Sequence, residues 1–307
     1  RFFSHQMNKI EIKKAFFKSL AIKNKYSLKE INCDLCGDNK KKDILKKISL
    51  SKNRLINFPY SMCLNCGHLF QRYKFEKKFY KNFYLKYYRN ITHNSLKVEP
   101  SFFQDQINRG KILFDNLKSF LPSTGKMLDV GCSAGGTMVP FIKNKWKCYG
   151  NDPDKNYVEY GKSKKLNVDY LLSEDMNFKK NFFDLIIILG SLEHCYDVNK
   201  VMSKCSKYAK ENSVIVLEGR GRPKSEAKKF FNFNHHRIFT HNSFELLLLK
   251  HGWMPLFSTF KNLSGPTRPN TIFTVGIKSE RLKGDFFKSV IKSGKKDSYN
   301  IIKETYF

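Results

Sequence analysis

The sequence predicts an α/β protein in which a mostly parallel sheet, covered by helices, follows a small cysteine-rich module. Two observations lead to this prediction. Between residues 127 and 219, apolar runs that fit buried strands alternate with polar segments that fit helices, as in an open parallel sheet. Before that region, four of the eight cysteines stand in two C-x-x-C pairs. The 307 residues allow one large domain and a small one, and a 41% hydrophobic share is ample for a core.

The first predicted strand leads into a glycine-rich turn. Residues 127–136 read MLDVGCSAGG, so an apolar run containing Asp129 is followed by Gly131 and Gly135. Glycines let the backbone turn sharply and approach a ligand closely, and the helix that follows points its first N–H groups at that ligand. The G-x-x-x-G spacing differs from those of dinucleotide and phosphate-loop motifs, which argues against a pyrophosphate or nucleoside triphosphate ligand.

Four further strands are predicted along the chain. Residues 146–152 fit a strand that ends at Asp152, about 20 residues beyond the glycine turn, where a carboxylate can reach both hydroxyls of a ribose. Asp154 then fits the N-cap of a helix. The remaining strands are expected at residues 166–170, 182–190 and 214–219. The continuous apolar run within residues 182–190 is typical of a central strand covered on both faces.

Taken in this order, the segments resemble the motifs of the class I S-adenosylmethionine (SAM) methyltransferases. DVGCSAG is close to the DVGCGxG form of the first motif, and Leu192-Glu193-His194 with Asp197 is similar to the LEHxxD segment after the fourth strand. The resemblance implies an enzyme with a Rossmann-like, seven-stranded class I methyltransferase sheet and SAM as cofactor. It also implies the cofactor-binding residues Asp129, Gly131, Cys132, Gly135, Asp152, Pro153, Asp175, Met176 and Gly190.

The two C-x-x-C pairs predict a structural metal site. Each pair, Cys33 with Cys36 and Cys63 with Cys66, is followed by a glycine that suits a tight knuckle. Two knuckles brought together supply four thiolates, which structural zinc prefers. We therefore predict a Zn²⁺ bound by these four cysteines, with His68 as a neighbour rather than a ligand. Because four thiolates close the site, no catalytic role is expected for the metal.

The other cysteines, Cys132, Cys148, Cys195 and Cys205, are isolated and fit small buried side chains. Reduced cysteines and zinc thiolates favour a cytoplasmic protein. The sequence has neither an N-terminal apolar signal region nor an apolar run of the roughly 18 residues that a membrane span needs. Since the chain begins with Arg1, its start is expected either at Met7 or upstream of Arg1.

We predict five divisions of the chain. They are a Lys-rich N-terminal arm (1–32), a zinc-ribbon module (33–72), an aromatic and helical connector (73–115), the methyltransferase domain (116–278) and a polar C-terminal tail (279–307). A helix is expected over residues 104–120. This arrangement is similar to the sugar C-methyltransferase-like group of bacterial pathways for unusual sugars and surface polysaccharides. It implies a small-molecule acceptor, a sugar or polysaccharide precursor.

Two other functions remain open at this point. The formal net charge of +30 attracts phosphate backbones, so an RNA or protein methyltransferase that binds through a basic zinc-ribbon arm is an alternative. However, only ten of the 57 basic residues are Arg, and Lys is spread along the whole chain, which fits compositional bias better. A catalytically silent SAM-binding module is the other alternative. The basic cluster at residues 219–224 fits either a substrate anion site or a solvated loop.

The candidate catalytic residues are histidines, because a hydroxyl or carbon acid acceptor needs a base near neutral pH. Residues 231–240, FNFNHHRIFT, precede a predicted amphipathic helix at residues 242–250. They resemble the H-x-x-x-F-[ST] segment that caps the acceptor pocket in related enzymes, when the histidine is taken three residues before Phe239. His236 is therefore the first candidate, with His235 and His194 behind it. For His236 a purely structural role in the loop is an equal alternative.

Overall fold

The computed structural model describes residues 26–51, 54–86, 97–220 and 231–279, together with residues 10, 14, 17 and 18. Its N-terminal part consists of short antiparallel strands: β1 (Leu28–Glu30), β2 (Lys41–Ser51), β3 (Arg54–Cys63), β4 (Leu69–Gln71) and β5 (Tyr73–Phe75). Strands β2, β3 and β4 are neighbours in one ribbon, and β1 pairs with β5. Most of the predicted arm and tail, residues 1–32 and 279–307, lies outside the described residues.

Two helices connect this ribbon to the rest of the molecule: α1 (Lys77–Lys86) and α2 (Pro100–Leu117). Helix α2 begins four residues earlier than predicted, because Pro100 occupies its first turn, where a missing N–H is not needed. A 3₁₀ turn (Lys118–Phe120) completes the predicted segment. The division expected between residues 115 and 116 falls inside α2, so the helix runs across it.

The main sheet has seven strands: β6 (Lys126–Val130), β7 (Lys147–Asp152), β8 (Val168–Tyr170), β9 (Phe183–Leu189), β10 (Ala209–Gly219), β12 (Trp253–Thr259) and β13 (Ile272–Lys278). Their order is β12-β13-β10-β9-β6-β7-β8. Strands β8, β7, β6, β9 and β10 are parallel, and β13 is antiparallel to both of its neighbours. All five strands predicted between residues 127 and 219 are confirmed. This is the seven-stranded α/β sheet that the motifs implied.

The remaining helices are α3 (Val139–Lys143), α4 (Lys155–Ser163), α5 (Val198–Tyr208) and α6 (His241–Lys250). The predicted N-cap of α4 is confirmed, because the Asp154 carboxylate accepts hydrogen bonds from the backbone N–H groups of Asn156 and Tyr157. The helix predicted at residues 242–250 is also confirmed. The isolated cysteines are buried, as expected.

A two-residue strand, β11 (Arg237–Ile238), joins the two parts of the molecule. It pairs antiparallel with β4, which makes it the fourth strand of the ribbon sheet. Ser49 of β2 forms a parallel bridge with Asn232 in the same segment. The ribbon sheet therefore contains residues that lie almost 200 positions apart, and the segment around the predicted catalytic histidines is held by the N-terminal module. Among the described residues, no helix has the length and apolar character of a membrane span.

Candidate active site

The glycine turn after β6 is built for close approach to a ligand. Gly131 and Gly135 have positive φ values of 73° and 78°, a region that disfavours residues with a Cβ. A Cβ on Gly131 would lie 2.6 Å from Cβ of Ser191, so no larger side chain fits. Ser191 in turn donates its hydroxyl to the carbonyl of Val130. The turn thus keeps the ends of β6 and β9 together and leaves its backbone facing the space above them.

Asp152 ends β7 beside this turn. One oxygen of its carboxylate accepts a hydrogen bond from the N–H of Ser133 at 2.8 Å, and the other accepts from the N–H of Asp154 at 2.9 Å. Two backbone donors fix the orientation of the carboxylate, and the residue is only 8% exposed. The remaining lone pairs of a carboxylate held in this way can accept hydrogen bonds from a pair of ligand hydroxyls.

A cavity of about 220 Å³ lies over the carboxyl ends of the parallel strands. This is the position at which open α/β sheets bind ligands. Four of the nine predicted cofactor residues line it: Gly131, Asp152, Pro153 and Gly190. The other lining residues are Lys77, Tyr80, Lys81, Tyr84, Phe102, Ser133, Asp154, Leu172, Ser173, Glu174, Leu189, Ser191, His194, Cys195, Tyr196 and Arg268.

Two predicted cofactor residues, Asp175 and Met176, do not line the cavity, although they directly follow residues that do. Met176 is fully buried in the core, where its carbonyl accepts a hydrogen bond from the Tyr208 hydroxyl. The side chain of Asp175 is half exposed and its carboxylate lies 3.3 Å from Nζ of Lys77. The residues just before them, Leu172 to Glu174, line the cavity instead. The motif resemblance located this wall to within three residues, but it could not tell which side chains of a 3₁₀ turn face inward.

Asp129, Cys132 and Gly135 do not line the cavity either. Asp129 is 2% exposed, and burial raises its pKa to about 7, a rise that nearby Arg109 partly offsets. The Cys132 side chain is buried, and a Cβ added to Gly150 would lie 2.6 Å from its sulfur, so it fills the space over β7. Gly135 caps the 3₁₀ turn that follows the glycine loop. These three residues therefore support the glycine turn without lining the cavity.

A buried charge cluster lies at the β9 and β10 side of the cavity. The Glu218 carboxylate, 0% exposed, accepts from Nη2 of Arg109 at 2.9 Å and from the Ser264 hydroxyl at 3.3 Å. Its second oxygen lies 3.5 Å from Nη1 of Arg268, which lines the cavity. No motif pointed to Arg268, because it follows β12 in a loop without a sequence signature. Only the antiparallel return of β13 brings that loop beside Gly190.

Of the three candidate bases, His194 alone lines the cavity. Its Nδ1 lies 3.0 Å from the carbonyl oxygen of Asn234. Because a carbonyl oxygen only accepts, the neutral ring carries its proton on Nδ1 and its lone pair on Nε2. Burial, reinforced by His235, lowers the pKa of His194 well below its ordinary value. The Tyr84 hydroxyl of α1 donates to the carbonyls of His194 and Asn234 and closes the same corner.

His236 and His235 lie behind this wall. His236 is 2% exposed, and its ring packs 4.4 Å from that of Tyr80. Burial lowers its pKa well below the ordinary range, with Lys74 and Arg237 adding to the effect. His235 is half-buried, and its ring centroid lies 4.8 Å from that of His194 with the two planes tilted by 60°. Its Nδ1 lies 3.2 Å from Nδ2 of Asn232. The histidine segment therefore supports the cavity wall, and the histidine on that wall comes from the LEH segment.

The four cysteines of the knuckles come together as predicted. Their sulfur atoms all lie within 4.8 Å of one another, and the Cys33–Cys66 and Cys36–Cys63 pairs are 3.5 Å apart. Sulfurs on a tetrahedral zinc ion stand about 3.8 Å apart, so this donor set fits Zn²⁺. Gly37 and Gly67, with φ of 80° and 75°, close the two knuckles as the sequence predicted.

A buried ion pair connects the first knuckle to the cavity wall. Asp34, between Cys33 and Cys36, accepts from Nε of Arg237 at 2.8 Å and lies 3.1 Å from Nε2 of His68. Burial would raise the pKa of Asp34, but Arg237 and His68 outweigh it and hold the pKa well below the ordinary value. Arg237, 0% exposed, also donates to the carbonyls of Leu192 and Cys195, on either side of His194. His68 is a neighbour of the cysteine site, as predicted.

Comparison with known proteins agrees with this geometry. Residues 128–217 match the protein family described as "Methyltransferase domain". This segment is a methyltransferase domain. It contains the glycine turn, Asp152 and His194.

Curated relatives match about a third of the chain. A ubiquinone biosynthesis O-methyltransferase of Pelagibacter ubique is 30% identical over 97 residues, which are 30% of this chain and 40% of that protein. An enzyme with the same name from Rhodopseudomonas palustris is 28% identical over 109 residues, 33% of this chain and 43% of that protein. The chain thus spans less than half the length of these relatives.

Solved structures were also compared. A SAM-dependent methyltransferase from Thermotoga maritima aligns at a TM-score of 0.45 and 17% identity, over 58% of this chain and 93% of that one. The Burkholderia thailandensis 1,6-didemethyltoxoflavin-N1-methyltransferase, solved with S-adenosylhomocysteine, aligns at a TM-score of 0.44 and 12% identity, over 59% and 80%.

Proposed function

We propose that this protein transfers the methyl group of SAM to a hydroxyl of a small-molecule acceptor. The observation that carries the proposal is that one cavity, over the carboxyl ends of the sheet, is lined by both Asp152 and His194. The Asp152 carboxylate can accept hydrogen bonds from ribose hydroxyls, and the His194 imidazole can accept a proton. The methyltransferase domain at residues 128–217 supplies the reaction class.

The cofactor would occupy the side of the cavity formed by the glycine turn. Asp152, oriented by two backbone N–H groups, would accept hydrogen bonds from both ribose hydroxyls. Gly131 would allow the ligand to approach the backbone, and the wall formed by residues 172–174 would contact the adenine. When bound, SAM supplies a methyl group that is already activated for displacement. The protein has then to position the acceptor and take up its proton.

His194 is the residue that we assign to that proton. Its Nδ1–H is held by the Asn234 carbonyl, so Nε2 is the basic atom. Burial lowers the pKa of His194 well below its ordinary value, so the ring is neutral and Nε2 is unprotonated across the physiological pH range. His236, the first candidate from the sequence, does not line the cavity in the described structure. His235 does not line it either, and its ring contacts that of His194.

We propose a sugar or surface-polysaccharide precursor as the acceptor. The support is the arrangement of the chain, in which a four-cysteine ribbon and an aromatic helix precede the methyltransferase domain. The volume of the cavity, about 220 Å³, also favours a small molecule over a folded macromolecule. The names of the curated relatives, ubiquinone biosynthesis O-methyltransferases, indicate a ubiquinone precursor as the competing acceptor. The four cysteines are proposed to bind a structural Zn²⁺.

The first test is cofactor binding measured by titration calorimetry with SAM. We expect Asp152→Ala to weaken SAM binding by about a hundredfold or more, since charged hydrogen bonds contribute ~1.5–3 kcal/mol each and two are lost. Asp169→Ala is the matched control, because Asp169 is exposed on the neighbouring strand β8 and does not line the cavity. Equal SAM affinity in the Asp152 variant and the wild type would remove Asp152 from the cofactor site.

The second test identifies the acceptor. Purified protein is incubated with methyl-labelled SAM and separate pools of nucleotide sugars, ubiquinone precursors and total RNA. We expect label in the sugar pool. Label in the ubiquinone-precursor pool would keep the reaction and replace the acceptor, whereas label in RNA would favour the RNA methyltransferase alternative. Binding of SAM without transfer to any pool would favour the silent module.

A further inference from the structure

Arg268 is the basic residue of the charge cluster that reaches the cavity. Its backbone is fixed, because its carbonyl accepts from Nδ2 of Asn262 at 2.7 Å and from the Thr271 hydroxyl at 3.3 Å. Its guanidinium lies over Gly190, where an added Cβ would be 3.2 Å from Nη1. Gly190 has a positive φ of 64°, a conformation that favours glycine, so no side chain lies between its backbone and the guanidinium. The guanidinium therefore stands at the cavity wall in a defined place.

Arg268 shares its acidic partner with a second guanidinium group. Both Arg109 and Arg268 contact the single carboxylate of Glu218. The contact between Arg109 and Glu218 is short, at 2.9 Å, whereas that of Arg268 is long, at 3.5 Å. An anion in the cavity would give Arg268 a second acidic partner without displacing the short pair between Arg109 and Glu218.

The order of the strands tells which end of a bound cofactor reaches Arg268. The wall at residues 172–174 follows β8, Asp152 ends β7, Gly131 follows β6 and Gly190 follows β9, and these strands are neighbours in this order. Adjacent strands are ~4.8 Å apart, so Gly190 stands about 10 Å from the end of β7 along the strand ends. A cofactor with adenine at the first wall and ribose at Asp152 places its amino-acid end toward Gly190.

We propose that Arg268 binds the carboxylate of the methionine moiety of SAM and makes the site selective for ligands that carry this carboxylate. This inference rests on the proposed function. Glu218 is then the positioning residue that orients the guanidinium. The loop between β12 and β13 would contribute to cofactor recognition, although it lies outside the segment that matches the methyltransferase domain.

The test compares two ligands that differ only in the carboxylate, SAM and decarboxylated SAM, by titration calorimetry. Wild-type protein is expected to prefer SAM. Arg268→Gln is expected to lose ~10- to 100-fold in SAM affinity, the range for a lost charged contact, with the affinity for decarboxylated SAM unchanged. Arg268→Lys keeps the charge but not the bidentate geometry of the guanidinium. Its SAM affinity is therefore expected to lie between those of the wild type and Arg268→Gln.

Lys81→Gln is the control, because Lys81 is another basic residue on the same cavity and stands on α1. It should leave the ratio of the two affinities unchanged. An equal loss for both ligands in Arg268→Gln, or a preference for SAM that survives in both Arg268 variants, would overturn the inference and leave the proposed function intact. A wild-type protein that binds neither ligand would overturn the proposed function, and the inference with it.

Discussion

His194 and His236 are both candidate bases in the sequence, and their environments in the structure separate their roles. His194 has one nitrogen fixed by a carbonyl and lines the cavity. His236 has both ring nitrogens buried without a hydrogen-bond partner among the described residues. A base needs a path to its substrate, so burial without access points to structure rather than catalysis for His236.

The assignment of His194 predicts a specific loss of turnover. His194→Ala should lower turnover by ~10²–10⁴, the usual range for a lost general base, and change SAM affinity little. In the wild type, the rate should stay constant as the pH falls through 6.5, because the base is active above its pKa and burial lowers that pKa. The measurements are methyl transfer to the identified acceptor against pH, and calorimetry with SAM. A rate that already falls by half at pH 6.5 would contradict the assignment.

The burial of His236 predicts an effect on stability at acid pH. Its folded-state pKa lies below the value of about 6.5 in an unfolded chain, so the unfolded state binds a proton that the folded state does not. Stability is therefore lost as the pH falls below 6.5. His236→Phe removes this proton uptake, and relative to wild type it should gain about 2 kcal/mol in the free energy of unfolding between pH 7 and pH 5.

Urea unfolding of both proteins at both pH values measures this difference, and the titrating groups that do not interact with His236 cancel in the comparison. A constant difference between pH 7 and pH 5 would show that His236 titrates normally. Turnover of His236→Phe should stay close to that of the wild type. A drop of two orders of magnitude would return the role of base to His236.

At the scale of elements, the sequence predicts helices and strands that depend on neighbouring residues. It does not predict strand pairing between segments that are distant in the chain. The strands of the main sheet follow from runs of apolar residues such as 183–189, since burial on both faces leaves a continuous pattern. Asp154 follows from the capping preference of a short acidic side chain. Strand β11 has two residues, no periodicity and a partner more than 160 positions earlier, so no local signal could place it in the ribbon sheet.

The same limit explains the misplaced parts of the site. Arg268 and Tyr84 reach the cavity only through tertiary packing, and neither belongs to a motif. The shift from Asp175 and Met176 to residues 172–174 arises because a 3₁₀ turn, with three residues per turn, presents different side chains from an extended wall. Motifs therefore pointed to the part of the cavity beside Gly131 and Asp152, whereas the part lined by Arg268 and Tyr84 depends on contacts between distant segments.

The shared ribbon sheet predicts that metal loss spreads beyond the zinc module. Cys66→Ser should lose the metal and expose the amides of residues 33–72 to hydrogen exchange. It should also expose residues 231–239, because β11 pairs with β4 and Arg237 pairs with Asp34 in the first knuckle. Hydrogen exchange with mass spectrometry, together with elemental analysis for zinc, measures both effects.

Cys148→Ser provides the matched control, since Cys148 is a buried cysteine of β7 outside the cluster. It should retain one zinc per chain and normal exchange in both segments. Loss of protection confined to residues 33–72 in Cys66→Ser would mean that β11 is held by the methyltransferase domain alone. Wild-type protein without zinc would contradict the metal assignment itself.

At the scale of the whole molecule, the dominant property is a formal net charge of +30. Such a charge attracts any polyanion through counterion release, without the need for a recognition surface. Guanidinium groups bind phosphates in a two-pronged geometry, but the two Arg residues with the most buried contacts, Arg109 and Arg237, are paired with Glu218 and Asp34. The charge that faces solvent is mainly that of lysines, which act as point charges with little geometric selectivity.

This distribution predicts RNA binding that depends on salt and not on sequence. A ligand held by 6–10 phosphate contacts loses ~10³–10⁵ in affinity between 50 and 200 mM salt, so binding seen at low salt should vanish at physiological salt. Fluorescence anisotropy with several RNAs of equal length, and with single-stranded DNA of the same sequences, measures both properties. All of these ligands should bind alike at 50 mM salt, since none offers the protein more than its phosphates. Nanomolar binding to one RNA that persists at 200 mM salt and discriminates against its scrambled sequence would require a built recognition surface, and the acceptor would then have to be sought in RNA.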